Sequence, residues 1–273
     1  MGGDRHPGPD GPAATAPDGV EPPVVVITGA SRGIGAGMAV HWAGRGLRLA
    51  LCSRAVPAVP EGAVGADGMV APVDVRDADA VDRFAAAVVD RFGRIDAWVN
   101  NAGVLGPIGP LADADPAALA DHVATNVLGV VHGTAAFVRH LRSRPGTGSL
   151  VNISSGAATS AYRGWAVYCA SKAAVEMLTE VVGLEEQGSG LFAYAVAPGV
   201  VDTDMQALIR STPAARFPDV DRFRQLADDG AFASADWVAA SILDRCVDPV
   251  TLWRPDPGRG SVRFRVPEPP GTG

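Results

Sequence analysis

Residues 24–35 read VVVITGASRGIG, and this stretch decides how the chain folds. The run begins with β-branched residues only, which is typical of a strand buried on both faces of a parallel sheet. A glycine-rich turn follows, and a helical pattern continues beyond it. Glycines let the backbone approach a pyrophosphate closely, and a helix N-terminus offers free N–H groups and a partial positive charge. We therefore interpret the turn as a dinucleotide-binding loop rather than an ordinary βα turn, with Gly29, Ser31, Arg32, Gly33, Ile34 and Gly35 as its residues.

The same alternation of strand and helix continues along the chain. Hydrophobic periodicity predicts further strands at residues 47–52, 69–73, 95–99, 148–154, 190–197 and 261–266, and helices at residues 78–92, 116–142, 168–186 and 235–246. Because no compositional break interrupts this alternation, it predicts one α/β domain over residues 24–266. The fold class is a single Rossmann-type doubly wound parallel sheet of about seven strands, with helices on both faces. Ligands of such sheets bind beyond the carboxyl ends of the strands.

Four segments depart from this alternation. Residues 1–23 and 267–273 are rich in proline and poor in large apolar residues, so we expect disordered tails. Residues 56–62 contain two prolines where a crossover helix should stand, and we expect the crossover helix after the second strand to be missing or vestigial. Residues 202–229 are polar and broken by prolines, a pattern that predicts a helical lid over the ligand cleft.

Bulk composition argues against several classes of partner. A net charge of −7 without any basic run argues against a nucleic-acid partner. No segment has the length of apolar sequence that a membrane span needs, so no membrane partner is expected. Three cysteines without metal-like spacing favour a reduced, cytoplasmic protein with no metal site.

The end of the second strand bears on which dinucleotide is bound. A free ribose 2′-hydroxyl usually meets an acid at this point, whereas a 2′-phosphate is met by arginine. Arg54 stands there and no acid does. Together with Arg32 in the loop it favours NADP(H) over NAD, although Arg54 could also be an ordinary solvated charge. Asp74 and Val75 follow the third strand, at a plausible position for contact with an adenine.

The fourth strand ends in small residues, Asn101, Ala102 and Gly103, which let the backbone pass close to a ribose. Asn126 lies in the middle of the long helix predicted at residues 116–142. Asparagine is a middling helix former, so a buried Asn126 needs a partner. A structural role and a role in a catalytic relay both remain open on these grounds.

Tyr168 and Lys172 stand one helical turn apart, and Lys172 is the only lysine in the 273 residues. A cation at this spacing favours the phenolate and should move the pKa of the tyrosine down. Ser155, at the end of the fifth strand, can donate to a carbonyl oxygen. Beside a nicotinamide, this set suits hydride transfer to a ketone with proton delivery from Tyr168.

These motifs together resemble the short-chain dehydrogenase/reductase family. The resemblance rests on Thr-Gly-x-x-x-Gly-x-Gly from Thr28 to Gly35, on Asn-Asn-Ala-Gly from Asn100 to Gly103 and on Tyr-x-x-x-Lys at Tyr168 to Lys172. It implies a catalytic group of Asn126, Ser155, Tyr168 and Lys172. It also implies that Lys172 binds the nicotinamide ribose, and that the segment after the sixth strand meets the nicotinamide through Pro198, Gly199, Val201 and Thr203.

Within that family the segments Val151–Ser155, Gly164–Ala170, Leu184–Glu186 and Ala197–Gln206 resemble those of sepiapterin reductase and of bacterial benzil (diketone) reductases. The resemblance implies a small carbonyl substrate and a homodimer or homotetramer assembled through the helices at residues 116–142 and 168–186. Trp165, which stands between Ser155 and Tyr168, and Met205 are expected on the substrate wall, with NADP(H) as the cofactor. Sepiapterin reductases anchor the pterin with an aspartate near the C-terminus. Arg263 and Arg265 stand in the corresponding region of this sequence, so a neutral or anionic dicarbonyl fits at least as well.

The leading hypothesis is therefore an NADP-dependent carbonyl reductase. One alternative is a regulatory protein that binds NADP(H) without turnover, and the intact set of Ser155, Tyr168, Lys172 and Asn126 argues against it. Another alternative is a secondary-alcohol dehydrogenase working in the oxidative direction. NADP pools usually favour reduction, so the pair of arginines argues mildly against that direction.

Overall fold

The computed structural model describes residues 21–57, 68–247 and 261–269. Its centre is a seven-stranded sheet in which every neighbouring pair of strands is parallel, in the order β3-β2-β1-β4-β5-β6-β7. The strands are β1 Val24–Thr28, β2 Arg48–Ser53, β3 Met69–Pro72, β4 Ala97–Asn100, β5 Gly148–Ile153, β6 Leu191–Ala197 and β7 Ser261–Arg265. The order reverses between β1 and β4, which is where a doubly wound sheet opens a ligand crevice. The predicted fold class is confirmed.

Eight α-helices accompany the sheet in the described part of the chain. They are α1 Gly33–Gly44, α2 Ala78–Phe92, α3 Pro116–Val123, α4 Gly129–Arg142, α5 Ala166–Glu185, α6 Asp204–Ser211, α7 Val220–Asp228 and α8 Ala235–Ile242. Side chains of α1 and α8 pack on one face of the sheet, and those of α2, α4 and α5 pack on the other. The prediction of helices on both faces is therefore confirmed.

The residues of β1 form a continuous apolar run because both faces of this strand are covered. All of its residues are buried, with Val25 and Ile27 in the core beneath α1 and α8 and Val24 and Val26 in the opposite core. Successive side chains of a strand point to opposite faces, so both faces of a covered strand must be apolar. This burial fixes the end of β1, and with it the start of the glycine-rich turn.

The long helix predicted at residues 116–142 is interrupted. Between α3 and α4 the chain makes a π-helical turn, Ala124–Leu128, and Asn126 lies at its centre with 1% of its surface exposed. Such turns widen a helix locally and are frequent at functional sites. The interruption brings an amide side chain into the protein interior, where it requires hydrogen-bond partners.

Helices α6 and α7 occupy the segment predicted as a lid. The prediction for the crossover after β2 falls mostly on residues 58–67, outside the described residues, as do residues 1–20 and 270–273 of the predicted tails. Of the helices in the described ranges, none is both long and apolar enough to cross a membrane.

Candidate active site

The glycine-rich loop of residues 29–35 is packed against the end of β4. A Cβ on Gly29 would lie 2.7 Å from Ala102 Cα, and a Cβ on Gly35 would collide with the carbonyl oxygen of Gly29. Asn101 Nδ2 donates to the carbonyl oxygens of Thr28 at 2.9 Å and Gly29 at 3.1 Å. The loop is therefore held in place by the strand end beside it.

The N-terminus of α1 fits an anionic group. Arg32 at its N-cap makes no side-chain capping bond, and its first turn contains no acid. Orphan N–H groups at such a terminus are a ready site for phosphate oxygens. Ser31 is exposed at the loop, and Ile34 packs partly into the core beneath α1. A dinucleotide pyrophosphate is the group that this arrangement suits.

The two arginines of the expected 2′-phosphate site are both exposed. Arg32 lies 3.6 Å from Asp204 in an ion pair whose partners are largely solvated, so the pair itself adds little stability. Arg54 follows β2 and helps to keep the pKa of Asp74 below its usual value. Both arginines are therefore able to meet a phosphate without breaking a buried contact.

Asp74 is less free for an adenine than the sequence suggested. Arg76 donates to both of its carboxylate oxygens, and this contact is the main reason that the pKa of Asp74 is lowered. Arg76 also reaches Asp121 on α3. Val75 is buried, and its carbonyl oxygen accepts from His132 Nδ1 at 2.8 Å. The β3–α2 loop is thus fixed to α3 and α4.

Hydrogen bonds tie the strand ends at the sheet edge together. Thr28 Oγ1 accepts from the backbone N–H groups of Asn101 at 3.0 Å and Ala102 at 3.1 Å. Asn100 Nδ2 donates to Asn152 Oδ1 at 2.8 Å, which links β4 to β5. These side-chain hydrogen bonds hold the ends of β1, β4 and β5 in a fixed arrangement.

Tyr168, Ser155 and Lys172 come together at the end of β5. The side chains of Tyr168 and Ser155 are hydrogen-bonded. Lys172 Nζ donates to the carbonyl oxygen of Ile153 at 2.8 Å and lies 5.8 Å from the centre of the Tyr168 ring. Lys172 and Tyr168 are each only 7% exposed. A buried phenol and a half-buried serine hydroxyl, with a buried amine beside them, can hold a carbonyl oxygen and exchange a proton with it.

Burial, rather than the lysine, dominates the pKa of Tyr168. Burial raises that pKa above its ordinary value, and the hydrogen bond with Ser155 opposes the rise. The expectation of a lowered tyrosine pKa is therefore wrong for this structure, because the effect of burial on the pKa outweighs that of the hydrogen bond with Ser155. Lys172 Nζ donates to the carbonyl oxygen of Ile153. Burial also lowers the pKa of Lys172 to about 8.

Asn126 is held by the backbone of Val104. Its Oδ1 accepts from Val104 N at 2.8 Å, and its Nδ2 donates to Val104 O at 2.8 Å. Gly103 lies beside it, since a Cβ there would be 3.5 Å from Asn126 Oδ1 and 3.9 Å from Lys172 Nζ. Gly103 therefore brings the strand end that is expected to bind the ribose close to both Asn126 and Lys172.

The segment after β6 returns to the glycine-rich loop. Pro198 and Gly199 follow the strand end directly, and Val201 forms a bridge with Ala233. Thr203 begins α6, and its Cγ2 lies 3.5 Å from where a Cβ on Gly33 would stand. This segment therefore crosses over the proposed phosphate site.

An aromatic cluster of Tyr162, Trp165, Phe217 and Phe223 lies against Tyr168. Trp165 is 4% exposed, stacks on Phe217 with ring centres 4.4 Å apart and meets the Tyr168 ring edge-on at 5.5 Å. Met205 packs partly against the same apolar region. Trp165 and Met205 therefore lie together, and the roof over them comes from the segment between α6 and α7.

Sequence reasoning missed Phe217, Phe223 and His122, all of which contact the residues around Tyr168. Phe217 and Phe223 lie in a polar, proline-containing segment with no motif, so only their apolar character could have flagged them. Arg263 forms ion pairs with Glu176 at 3.4 Å and with Glu180 at 3.2 Å, both on α5. These ion pairs do not direct its guanidinium group towards the aromatic cluster. Across the described ranges, His, Cys, Asp and Glu form no group of three that could hold a metal ion.

Comparison with known proteins gives a consistent result. The family model for short chain dehydrogenase matches residues 23–214. The chain is 32% identical over 222 residues to the benzil reductase ((S)-benzoin forming) of Bacillus subtilis, which covers 80% of this chain and 90% of the relative. The crystal structure of the KRED1-Pglu enzyme is similar with a TM-score of 0.76 and 28% identity, covering 89% of this chain and 99% of the other.

A variant of the actinorhodin polyketide ketoreductase, crystallised with NADPH, is similar with a TM-score of 0.74 and 29% identity, covering 90% of this chain and 95% of the other. The match to the family model extends from β1 through α6, and thus takes in the glycine-rich loop, the strand ends and the Tyr168 helix. The chain belongs to the short-chain dehydrogenase family and is an oxidoreductase that acts on CH–OH or C=O groups.

Proposed function

We propose that this protein is an NADPH-dependent carbonyl reductase for neutral, aromatic dicarbonyl compounds. The observation that carries the proposal is the contact of the buried Tyr168 with the half-buried Ser155, with the buried Lys172 beside them, at the same sheet edge as a glycine-rich loop. A proton donor, a cation and a dinucleotide cradle are the parts that such a reduction needs.

In the proposed reaction the cofactor supplies the hydride, and side chains of the protein supply the proton and stabilise the charge. NADPH, when bound, supplies the hydride that forms the new C–H bond at the carbonyl carbon. Ser155 donates a hydrogen bond to the carbonyl oxygen, and Tyr168 transfers its phenolic proton to that oxygen, which gives the alcohol. Lys172 offsets the negative charge left on Tyr168, and the buried surroundings strengthen this interaction. Because burial keeps Tyr168 protonated at neutral pH, the resting site is ready for the reductive direction.

Cofactor choice follows from Arg32 and Arg54. Both are exposed at the edge where the adenosine ribose of a bound dinucleotide would lie, and no acid follows β2 to meet a free 2′-hydroxyl. Guanidinium groups pair strongly with phosphate oxygens. These features support NADPH over NADH.

The substrate class follows from the aromatic cluster. Its four rings and the nearby apolar side chains Leu105, Ile108 and Ile209 form an uncharged wall around Tyr168. Rings of a substrate gain contact area and favourable edge or stacked geometry against such a wall. The similarity to a benzil reductase points to the same class. The engagement of Arg263 with α5 argues against direct recognition of a charged group by that residue.

An NADPH-consumption screen tests the proposal. Benzil and other aryl diketones should be reduced with the highest kcat/KM, ahead of aliphatic diketones and a pterin, and NADH should serve poorly with each of them. Tight NADPH binding without turnover of any carbonyl compound would favour the alternative of a regulatory protein. A preference for oxidising secondary alcohols with NADP⁺ at neutral pH would favour the oxidative direction.

Self-association is part of the proposal. The outer surfaces of α3 to α5 and their connecting turn carry exposed apolar side chains, namely Val123, Leu128, Met177, Val181 and Leu184. These residues fall on the helices through which a homodimer or homotetramer is expected, and exposed apolar patches are common at such interfaces. Light scattering should give a dimer or tetramer, and Leu184→Asp should lower the mass. A monomeric wild-type protein would contradict this part.

A further inference from the structure

His122 is the most buried histidine near Tyr168 and has no assigned role. It lies in the last turn of α3, four residues before Asn126, and is 1% exposed. Its ring meets the Tyr168 ring edge-on, with centres 6.2 Å apart. A histidine at this depth must have both ring nitrogens satisfied, and its partners determine which nitrogen carries the proton.

The partners of His122 fix its tautomer. Nδ1 lies 2.6 Å from the carbonyl oxygen of Gly106, and a carbonyl only accepts, so Nδ1 carries the proton. Nε2 of the neutral ring is then an acceptor. It lies 3.0 Å from Asn126 Nδ2 and 3.0 Å from Ser171 Oγ.

The hydrogen-bond partners of the Asn126 amide likewise fix its orientation. The N–H of Val104 can only donate, so it faces Oδ1, and the two hydrogens of Nδ2 go to Val104 O and His122 Nε2. Ser171 Oγ donates to the carbonyl oxygen of Tyr168 at 2.8 Å. Every donor in this set has an acceptor when His122 is neutral.

A protonated His122 would break this arrangement. A proton on Nε2 would face the amide hydrogen of Asn126, which would lose its acceptor, and would leave Ser171 Oγ as the only acceptor for Nε2. The positive charge would also add to that of Lys172. The physical environment keeps the ring neutral: burial lowers the pKa of His122 most, the nearby Lys172 lowers it further, and the contact with Gly106 only partly opposes this.

From this geometry we infer that His122 is a positioning residue for carbonyl reduction, acting as a neutral Nδ1–H imidazole that orients the Asn126 amide and braces the Tyr168 ring. The inference rests on the proposed function. Through Gly106 the same ring ties the loop at residues 104–106 to α5, which carries Tyr168, Ser171 and Lys172. His122 thus connects the expected cofactor-binding strand end to the proton donor without contacting the substrate.

Two replacements separate its two hydrogen bonds. Glutamine can bring an amide oxygen to the position of Nε2 and so keep an acceptor for Asn126. Asparagine can bring an amide nitrogen to the position of Nδ1 and so keep only the bond to Gly106. Leucine keeps neither. We expect His122→Gln to retain kcat within about threefold, whereas His122→Asn and His122→Leu lose on the order of 10- to 100-fold, with KM and NADPH affinity changed by less than about threefold.

Thr179→Val is the matched control. Thr179 is 1% exposed on the same helix as Tyr168 and accepts from Asn152, but it contacts neither Tyr168 nor Asn126. Its loss of two buried hydrogen bonds, one accepted from Asn152 and one donated to the carbonyl oxygen of Val175, should lower the melting temperature while kcat stays within about twofold. If His122→Gln is as impaired as His122→Leu, or His122→Leu keeps wild-type kcat, the inference is overturned. Should His122→Leu not fold, the contrast between glutamine and asparagine still decides.

A spectroscopic measurement tests the tautomer apart from turnover. Long-range ¹H–¹⁵N spectra at neutral pH should show Nδ1 of His122 protonated and Nε2 unprotonated, assigned by its absence in His122→Asn. A protonated Nε2 would overturn the inference even in an active enzyme. A wild-type protein that reduces no carbonyl compound would instead refute the proposed function and the positioning role with it.

Discussion

On the cofactor side of the cleft, two polar side chains hold the backbone of the loop and the strand end together. The loop of residues 29–35, the end of β4 and the side chains of Thr28 and Asn101 form a short-range mesh of hydrogen bonds and near-contact packing. On the substrate side, rings from the segment before α5, from the lid and from α7 meet through apolar contact alone. Where backbone segments lie this close together, there is no room for an additional side-chain atom. A ring in an apolar cluster, by contrast, can be replaced by another apolar side chain of similar volume. We therefore expect single changes to abolish cofactor binding but only to tune substrate preference.

The largest effect on cofactor affinity from a change in packing is expected for Gly35→Ala, in the glycine-rich loop. Its methyl group would collide with the Gly29 carbonyl oxygen and lie 2.5 Å from Asn101 Nδ2, so the start of α1 must move away from the loop. We expect NADPH affinity to fall by about 100-fold, equivalent to the upper part of the usual 1–3 kcal/mol for overpacking. Gly44→Ala, in open space at the end of α1, should bind NADPH normally. Equal titration curves for the two variants would contradict the prediction.

A loss of NADPH affinity of similar size is expected from Arg54→Asp. Replacing a guanidinium near the 2′-phosphate by a carboxylate should weaken NADPH binding by about 1.5–3 kcal/mol, or roughly 10- to 150-fold, while NADH binding changes little. Arg91→Asp makes the same change of charge in the last turn of α2 and should leave both affinities unchanged. Fluorescence titration with both cofactors measures the ratio, and an unchanged ratio in Arg54→Asp would refute the assignment.

The pH dependence of kcat/KM tests Lys172, which lies between the cofactor side and the substrate side of the cleft. Lys172 carries its charge below a pKa of about 8 and loses it above. Since the cation is proposed to offset the charge on Tyr168 during reduction, kcat/KM should fall about tenfold for each pH unit above that value. Lys172→Arg stays charged and should show no such fall, although its absolute rate is lower because the fork fits a compact site poorly. A flat wild-type profile up to about two pH units above the break would exclude this role for Lys172.

The smallest effect is expected on the substrate side. Phe217→Leu keeps an apolar roof but removes the ring stacked on Trp165, worth about 0.5–1.5 kcal/mol beyond its buried area. Because Phe217 is fully buried, it acts on the substrate only by holding Trp165 in place. The preference for aryl over alkyl diketones should therefore fall by no more than about 3- to 10-fold, with NADPH affinity unchanged. Phe137→Leu, in the core between the sheet and α4, is the matched control and should leave the preference intact. An identical shift in both variants would mean that general destabilisation is the cause.

The same difference explains what the sequence could predict. The glycine-rich loop, Tyr168 and Lys172 are local patterns whose spacing on a strand, turn or helix places their atoms. The meeting of the strand ends at one edge followed from the parallel sheet that the alternation of strands and helices predicts. These features could be predicted directly because each depends on a few neighbouring residues.

The rest depended on packing between distant segments. Phe217 meets Trp165 only because the lid folds back over α5, and the sequence around Phe217 carries no period that predicts this contact. The π turn at Asn126 and the bonds of His122 required the loop at residues 104–106 to lie against α3. The raised pKa of Tyr168 likewise came from burial beneath that roof, whereas the sequence showed only the nearby lysine.

The most direct test of the central claim is single-turnover reduction of benzil by NADPH in wild-type protein and in Tyr168→Phe. The variant keeps the ring that packs against Trp165 and His122 and removes only the phenolic oxygen. Loss of the proton donor should slow reduction by about 10³-fold, with NADPH affinity within about twofold of wild type. Reduction by Tyr168→Phe at a rate close to wild type would contradict the claim that Tyr168 delivers the proton.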